Sequence, residues 1–488
     1  MKRLPNIVFI LADDLGYGDL SCYGQTRFTT PNIDRIANEG MTFMQSYSGN
    51  AVCAPSRSVL MTGLHPGHTP IRDNREAADK KEGQFPLPMG TVILPMLLQK
   101  LGYVCGAFGK WGLGGPDTHA APLKMGISRF FGYNCQREAH NFYPPYLWDD
   151  DKKVPLNNPK FPAHQKLPEG ADPENPGSYV SFTGKDYAPD TIMAQARQFI
   201  QDNKDKPFFC FVPTTVPHLA LQIPDDSLTE FAGKFPEKPY PGGRSYLPHR
   251  TPRAAYAAMI TRLDKEVGRL LALVAELGLD SDTIFVFTSD NGPLYDELGG
   301  TDTEFFNSAR GLRGRKGSLY EGGIRVPTVV RWKGKIKPGS VSERVIGFED
   351  WLPTLFELLE KRTPVKTDGI SFAPTLLGNR QPERPFFYRE FPGYGGQQLA
   401  RIGEWKAVRQ SLNKTAKNPS PVVKTELYNL KTDPNETTDV AVQNPQWIAR
   451  LEKLLKDQHV PSKDFPLGEA EGRAVGAPYS IGSSHRRR

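Results

Sequence analysis

Cysteine is scarce in this chain, with five residues among 488, at positions 22, 53, 105, 135 and 210. That scatter excludes the dense disulfide framework of small secreted domains, and no Cys-x-x-Cys pair points to structural zinc. Long apolar runs are missing too. The first, Ile7 to Ala12, stops at Asp13-Asp14. It is too short to span a membrane or to act as a secretory leader. The expected workplace is the periplasm or the exterior for a trimmed mature chain, with the cell interior as the alternative. No internal repeat is present. Charge excess is small, at +7, and part of it sits in the terminal run His485-Arg486-Arg487-Arg488. Such a balance suits attraction to a polyanion but marks no nucleic-acid-binding domain.

What is present is an ordinary globular composition, 38% hydrophobic and 24% charged, in a chain long enough for two domains. Three apolar runs, Ile7 to Ala12, Phe208 to Val212 and Thr283 to Thr288, each lead into polar residues: Asp13-Asp14, His218 and Asp290-Asn291. Continuous apolarity rich in β-branched and aromatic residues predicts buried parallel strands. Helical spacing predicts helices over 187–203 and 254–277, the second closed by Gly278. The reading is an α/β domain over residues 1–380, with ligands expected beyond the carboxyl ends of the strands. From Pro382 shorter apolar pieces and Gly-rich turns predict a smaller α+β subdomain over 381–488. It would hold an antiparallel sheet around Phe386-Phe387-Tyr388, Trp405 to Val408 and Glu426 to Leu430, packed by a helix over 445–457. The tail after Lys463, rich in Gly, Ser and Pro, is expected to wrap the surface or stay loose.

Asp13, Asp14, Asp290 and Asn291 bring three carboxylates and an amide oxygen to two strand ends. This all-oxygen set suits a hard divalent cation, calcium first, rather than zinc. Between them in the chain lies Cys53-Ala54-Pro55-Ser56-Arg57, continuing through Ser58-Val59-Leu60-Met61-Thr62-Gly63. Pro55 suits the first turn of a helix, which places Cys53 at a positive helix end that favours anions.

This segment matches the C-x-P-S-R signature of type I, formylglycine-dependent sulfatases. The resemblance extends from Pro5-Asn6-Ile7 to Leu427-Tyr428-Asn429-Leu430-Lys431-Thr432-Asp433-Pro434-Asn435-Glu436. It is to arylsulfatases and to the carbohydrate sulfatases of bacterial polysaccharide degradation. It implies an alkaline-phosphatase-like sheet sandwiched by helices, and a sulfated carbohydrate as substrate. It also implies a maturation enzyme that oxidises Cys53 to formylglycine. In that family one hydroxyl of the hydrated aldehyde attacks sulfur while the other remains to expel sulfate. By the same resemblance Asp13, Asp14, Asp290, Asn291 and the converted Cys53 would ligate calcium. Arg57 would steady the diol, and Lys110 would touch diol and sulfate. Lys316 and His218 would stand near the bridging oxygen and protonate the departing alcohol.

One departure stands out: many relatives have a histidine, thought to deprotonate the diol, where this chain has Gly112. His140, in Glu138-Ala139-His140-Asn141-Phe142-Tyr143-Pro144, is a candidate to replace it or to read the sugar. Substrate choice is expected from loops: His65, His68, Arg72 and Asn74 after the signature helix, His140, and the insertion 294–307. The region Phe130 to Pro144 resembles enzymes acting on galactose-type sugars. Two rival readings are carried forward: a phosphoester hydrolase of the same architecture, and a sulfated-glycan binder without turnover.

Overall fold

The computed structural model describes residues 3–78, 81–243, 245–416, 418–420, 422–468 and 471. Its strands are β1 Asn6–Ala12, β2 Met41–Phe43, β3 Ser46–Tyr47, β4 Val104–Lys110, β5 Arg129–Tyr133, β6 Tyr146–Asp149, β7 Lys152–Pro155, β8 Phe208–Pro213, β9 Thr283–Ser289, β10 Thr328–Trp332, β11 Ser340–Ser342, β12 Ile346–Gly347, β13 Phe387–Phe391, β14 Gln397–Ile402, β15 Trp405–Gln410 and β16 Lys424–Asn429. Ten build one mixed sheet in the order β11-β2-β10-β9-β1-β8-β4-β5-β6-β7. Its centre, β9-β1-β8-β4-β5, is parallel. The short strands β3 and β12 pair separately.

Burial on both faces explains the unbroken apolar runs. Along β1, Val8, Ile10 and Ala12 join a core shared with helices Ala188–Asp202 and Pro252–Glu276. Ile7, Phe9 and Leu11 join the opposite core with helices Leu94–Gln99 and Trp351–Leu358. The long helix begins at a proline and stops before Gly278, whose φ of +71° closes it.

Strand β4, which delivers Lys110, carries two glycines that obscure it in the sequence. They are required by close approach. A Cβ at Gly109 would lie 2.0 Å from Pro213 O, and one at Gly132 of β5 would lie 2.0 Å from Gly109 O.

The four remaining strands form an antiparallel sheet, β13-β14-β15-β16, covered by helix Pro445–Asp457 through Leu451 and Leu455. The expected tail lies, beyond Gly468 and apart from Glu471, outside the described residues. Buried charges tie this sheet to the large one. Lys406 Nζ sits 2.8 Å from both Glu321 and Glu436, and Arg389 meets Glu349 at 2.8 Å. Replacing Lys406 with alanine leaves two buried carboxylates without their shared cation. We expect a stability loss of about 3–5 kcal/mol, read as a lowered unfolding midpoint; an unchanged midpoint would show that the cluster does not brace the two sheets. The five cysteines are free thiols.

Candidate active site

The polar residues that follow the apolar strands meet at one edge of the sheet. Asp13 and Asp14 follow β1, Lys110 ends β4, His218 lies beyond β8, and Asp290-Asn291 follow β9. Backbone bonds extend the ladder there: Asp13 N–H donates to Val216 O and Asp290 N–H to Ala12 O. Asp14 turns with a φ of +65° and donates its N–H to Asp290 Oδ1 at 3.2 Å. Helix Cys53–Thr62 points its N-terminus at the same place and closes at Gly63, whose φ is +70°. Expectation and structure agree on this helix.

Side chains interlock around Cys53. Lys110 Nζ donates to Asp13 Oδ2 at 2.6 Å and approaches Cys53 Sγ at 3.4 Å. Arg57 donates through Nε and Nη2 to Asp290 Oδ2, at 3.2 and 2.9 Å, and through Nη1 to the Lys110 carbonyl. Lys316 Nζ lies 2.7 and 2.9 Å from the two Asp14 oxygens, and His218 Nε2 lies 3.4 Å from Asp14 Oδ2. His218 Nδ1 must donate to the Leu219 carbonyl at 2.7 Å. Its neutral ring therefore keeps the free lone pair on Nε2.

Electrostatics follow from burial and these pairings. Burial raises the Asp13 carboxyl, but Lys110, His218, Arg57 and Lys316 outweigh it and hold the group well below its ordinary range. Burial and Asp13 push Asp290 up to about 6. Burial and Asp13 also push the Cys53 thiol up to about 12, so as a thiol this side chain is neutral at pH 7. Burial and Lys316 draw His218 down to about 4. Burial disfavours the Lys316 ammonium, yet Asp14 outweighs it and keeps this lysine charged.

The donor set fits a hard cation. Asp13, Asp14, Asp290 and Asn291 are at most 1% exposed, and the buried Asn291 Oδ1 has no hydrogen-bond partner among the described residues. An orphaned amide oxygen among three carboxylates is what an oxygen-seeking ion would satisfy. Ligand-capable atoms of Asp13, Asp14, Cys53 and His218 lie within 4.8 Å of one another.

A cavity of about 400 Å³ opens above this cluster. Cys53, Lys110, His218 and Lys316 line it, as do His140 and Asn74 among the expected substrate residues. Asn74 also accepts from the Ala54 N–H at 2.9 Å, capping the signature helix. The insertion contributes Leu294, Tyr295 and Leu298.

Three expected substrate residues, Arg72, His68 and His65, are placed elsewhere. Arg72 is buried against Glu390 at 2.6 Å and against the Val460 carbonyl, which anchors the carboxyl-terminal segment. His68 bonds Asp368 at 2.9 Å and stacks on His65, which itself bonds Gln458. All three are structural ties rather than cavity residues, because the stretch between the signature helix and Asn74 packs against the segments that carry Asp368, Glu390, Gln458 and Val460.

Sequence reasoning missed Gln136, His164, Tyr246 and Tyr394, which line the cavity from four separate segments. Gln136 explains the departure at Gly112. Among the described residues its buried Nε2 has no partner, and a Cβ at Gly112 would come within 2.9 Å of it. Gly112 also holds a φ of +76°. Gln136 occupies space that a larger residue at 112 would need, and an amide cannot act as a base.

A phosphate- or sulfate-sized anion in this cavity would meet two lysines and a histidine beside Cys53, above carboxylates that would hold a hard cation, an arrangement that suits a hydrolase of tetrahedral oxyanion esters. Comparison with known proteins settles the class. The Sulfatase family matches residues 5–361, and the family described as N-sulphoglucosamine sulphohydrolase, C-terminal, matches residues 315–461. Human arylsulfatase A is 32% identical over 93% of this chain and 87% of its own length. The N-acetylgalactosamine-6-O-sulfatase of Bacteroides thetaiotaomicron is 29% identical over 93% of each chain. The crystal structure of Ps i-CgsB in complex with k-i-k-neocarrahexaose superposes with a TM-score of 0.73 at 25% identity, covering 98% of both chains. The chain belongs to the sulfatase family. It is a sulfuric ester hydrolase with the alkaline-phosphatase-like architecture expected from its sequence, a mixed sheet between helical layers and an antiparallel sheet after it. No helix among the described residues is long and apolar enough to cross a membrane.

Proposed function

We propose that this sulfatase removes sulfate from a sulfated carbohydrate of galactose type, working in the periplasm or outside the cell. The observation that carries this reading is the cavity over Cys53, where Lys110, His218 and Lys316 converge beneath a rim of His140, Tyr246, Tyr295 and Tyr394. Cations below suit a sulfate, and aromatic rings above suit the apolar face of a sugar. Relatives named for N-acetylgalactosamine 6-sulfate support the sugar class.

Asp13, Asp14, Asp290, Asn291 and converted Cys53 would hold calcium. When bound, calcium polarises sulfate oxygens and cancels their repulsion by the carboxylates. Converted to hydrated formylglycine, Cys53 would supply a hydroxyl nucleophile with a second hydroxyl to break the sulfate ester. The chain's own residues do the rest. Arg57, fixed by Asp290 and the Lys110 carbonyl, orients residue 53. Lys110 and Lys316 bind sulfate oxygens, while His218 and Lys316 hold or move the proton at the bridging oxygen.

Cys53 is 1% exposed and sits in a helix. A formylglycine-generating maturation enzyme must therefore reach it before folding is complete. We expect the unfolded chain or an excised peptide around residue 53 to be converted, and folded unconverted protein to resist. Mass spectrometry of the Cys53 peptide, before and after exposure to such an enzyme, reads this directly.

Asp290→Asn keeps size and removes one charge. It should weaken calcium binding by at least about 100-fold, beyond the roughly 10–100-fold typical of outer-shell partners. Calorimetric titration measures it, and unchanged affinity would remove Asp290 from the ligand set.

The substrate itself is tested by sulfate release from galactose and N-acetylgalactosamine sulfates, using protein coexpressed with a maturation enzyme. Release from these sugars, with an aldehyde at position 53, supports the proposal. Release confined to sulfates of other sugars would overturn the galactose-type assignment.

A further inference from the structure

Three histidines and a tyrosine form a ring cluster on one wall of the cavity. His140 stacks on His218 at 4.9 Å and 12°, and Tyr246 packs on His140 and His164 at 5.1 and 4.9 Å. Within it runs a chain of hydrogen bonds whose direction the backbone decides. The Tyr246 N–H donates to His164 Nδ1 at 3.0 Å, and Ser245 Oγ lies 2.9 Å from the same nitrogen. A backbone amide is always a donor, so His164 Nδ1 is an acceptor and the neutral ring carries its proton on Nε2. That Nε2 lies 3.1 Å from His140 Nδ1. It must donate there, which leaves the His140 proton on Nε2. Among the described residues no protein group bonds His140 Nε2, and His140 lines the cavity.

The loop that starts this relay is held in a strained shape. Ser245 and Tyr246 take φ values of +86° and +65°, a region costly for side-chain-bearing residues. The Tyr240 hydroxyl pins the loop by donating to the Ser245 carbonyl at 2.5 Å. Burial keeps both imidazoles below their ordinary pKa, as neutral rings in which tautomer decides who donates.

The geometry points to His164 as a positioning residue that fixes His140 as a hydrogen-bond donor toward an acceptor oxygen of the sugar. This rests on the carbohydrate reading of the cavity and gives it a polarity. With its Nε2 protonated, neutral His140 does not take the diol proton in place of the histidine that Gly112 lacks. It selects sugars with an oxygen lone pair at that point.

The test combines imidazole ¹⁵N–¹H correlation spectra of the matured protein with kinetics on N-acetylgalactosamine 6-sulfate. In the parent, His140 should show the Nε2–H tautomer. His164→Ala should shift His140 toward Nδ1–H and raise KM about ten-fold while kcat falls less. His164→Gln retains an amide donor and should bring both tautomer and KM back to within about three-fold of the parent. His164→Glu can only accept from a neutral ring and should hold His140 as Nδ1–H, with a loss at least as large as that of alanine. If His140 stays Nε2–H in the alanine and glutamate variants, with KM within two-fold, the relay is refuted. Should His140→Ala itself leave KM unchanged, sugar reading by His140 fails instead. A matured enzyme that ignores the sugar sulfate would overturn the substrate proposal, and the tautomers would still decide the relay.

Discussion

Cys53→Ser releases at most one desulfated alcohol per active site, keeps the sulfate as a serine ester, and its steady-state turnover falls by roughly 10⁴-fold or more. The serine hydroxyl can be placed like one hydroxyl of the hydrated aldehyde, and the surrounding cations do not depend on sulfur. Lys110 stays on Asp13 and Arg57 on Asp290, while the Sγ contacts being lost are long, at 3.4 and 3.5 Å. The variant should therefore fold and bind sulfate esters like the parent. What it lacks is a second hydroxyl on the same carbon, so the serine sulfate formed by attack has no internal route to break. Rapid-quench assays of the released alcohol and intact mass after one turnover read the two halves separately. Sustained turnover by Cys53→Ser would sink the formylglycine assignment.

Lys316→Ala should lower kcat on sugar sulfates by about 10²–10⁴-fold, the range for a lost general acid. Its loss on sulfates of acidic phenols should be much smaller. An alkoxide is a poor leaving group and needs a proton or a nearby cation; an acidic phenolate does not. Lys316 lines the cavity beside His218 with its ammonium on both Asp14 oxygens, where it balances the carboxylate. A series of aryl sulfates of rising phenol pKa gives the measurement. A steeper dependence on leaving-group pKa in the variant supports the assignment, whereas equal losses throughout would restrict Lys316 to holding sulfate.

Strand ends carried most of the legible information. Asp13, Asp14, Asp290 and Asn291 could be placed together because a buried parallel strand delivers its next residues to the carboxyl edge whatever the loops do. The signature helix was legible for a local reason: Pro55 and Gly63 mark its ends, so Cys53 had to stand at its N-terminus. Strand β4 was not legible, since Gly106 and Gly109 weaken its pattern; the reason for Gly109 is the neighbouring backbone of β8 at Pro213, and for Gly106 the rings of Phe108 and Phe199.

The substrate wall was read least well. Arg72 and His68 had the right chemistry and lay close to the signature, yet their partners Glu390 and Asp368 are about 300 residues away in sequence and draw them from the cavity. His164, Tyr246, Gln136 and Tyr394 carry no local pattern that separates them from ordinary loop residues, and they converge because four loops pack over one sheet edge. The sequence alone determined the reaction class, through the resemblance carried by Cys53-Ala54-Pro55-Ser56-Arg57, and the gathering of Asp13, Asp14, Asp290 and Asn291 at one sheet edge, because short-range chain geometry sets where strand ends and a helix start deliver their residues. Only the tertiary structure decided which loop residues face the substrate and which way the hydrogen bonds of His140 and His164 run, because those depend on contacts between segments far apart in the chain.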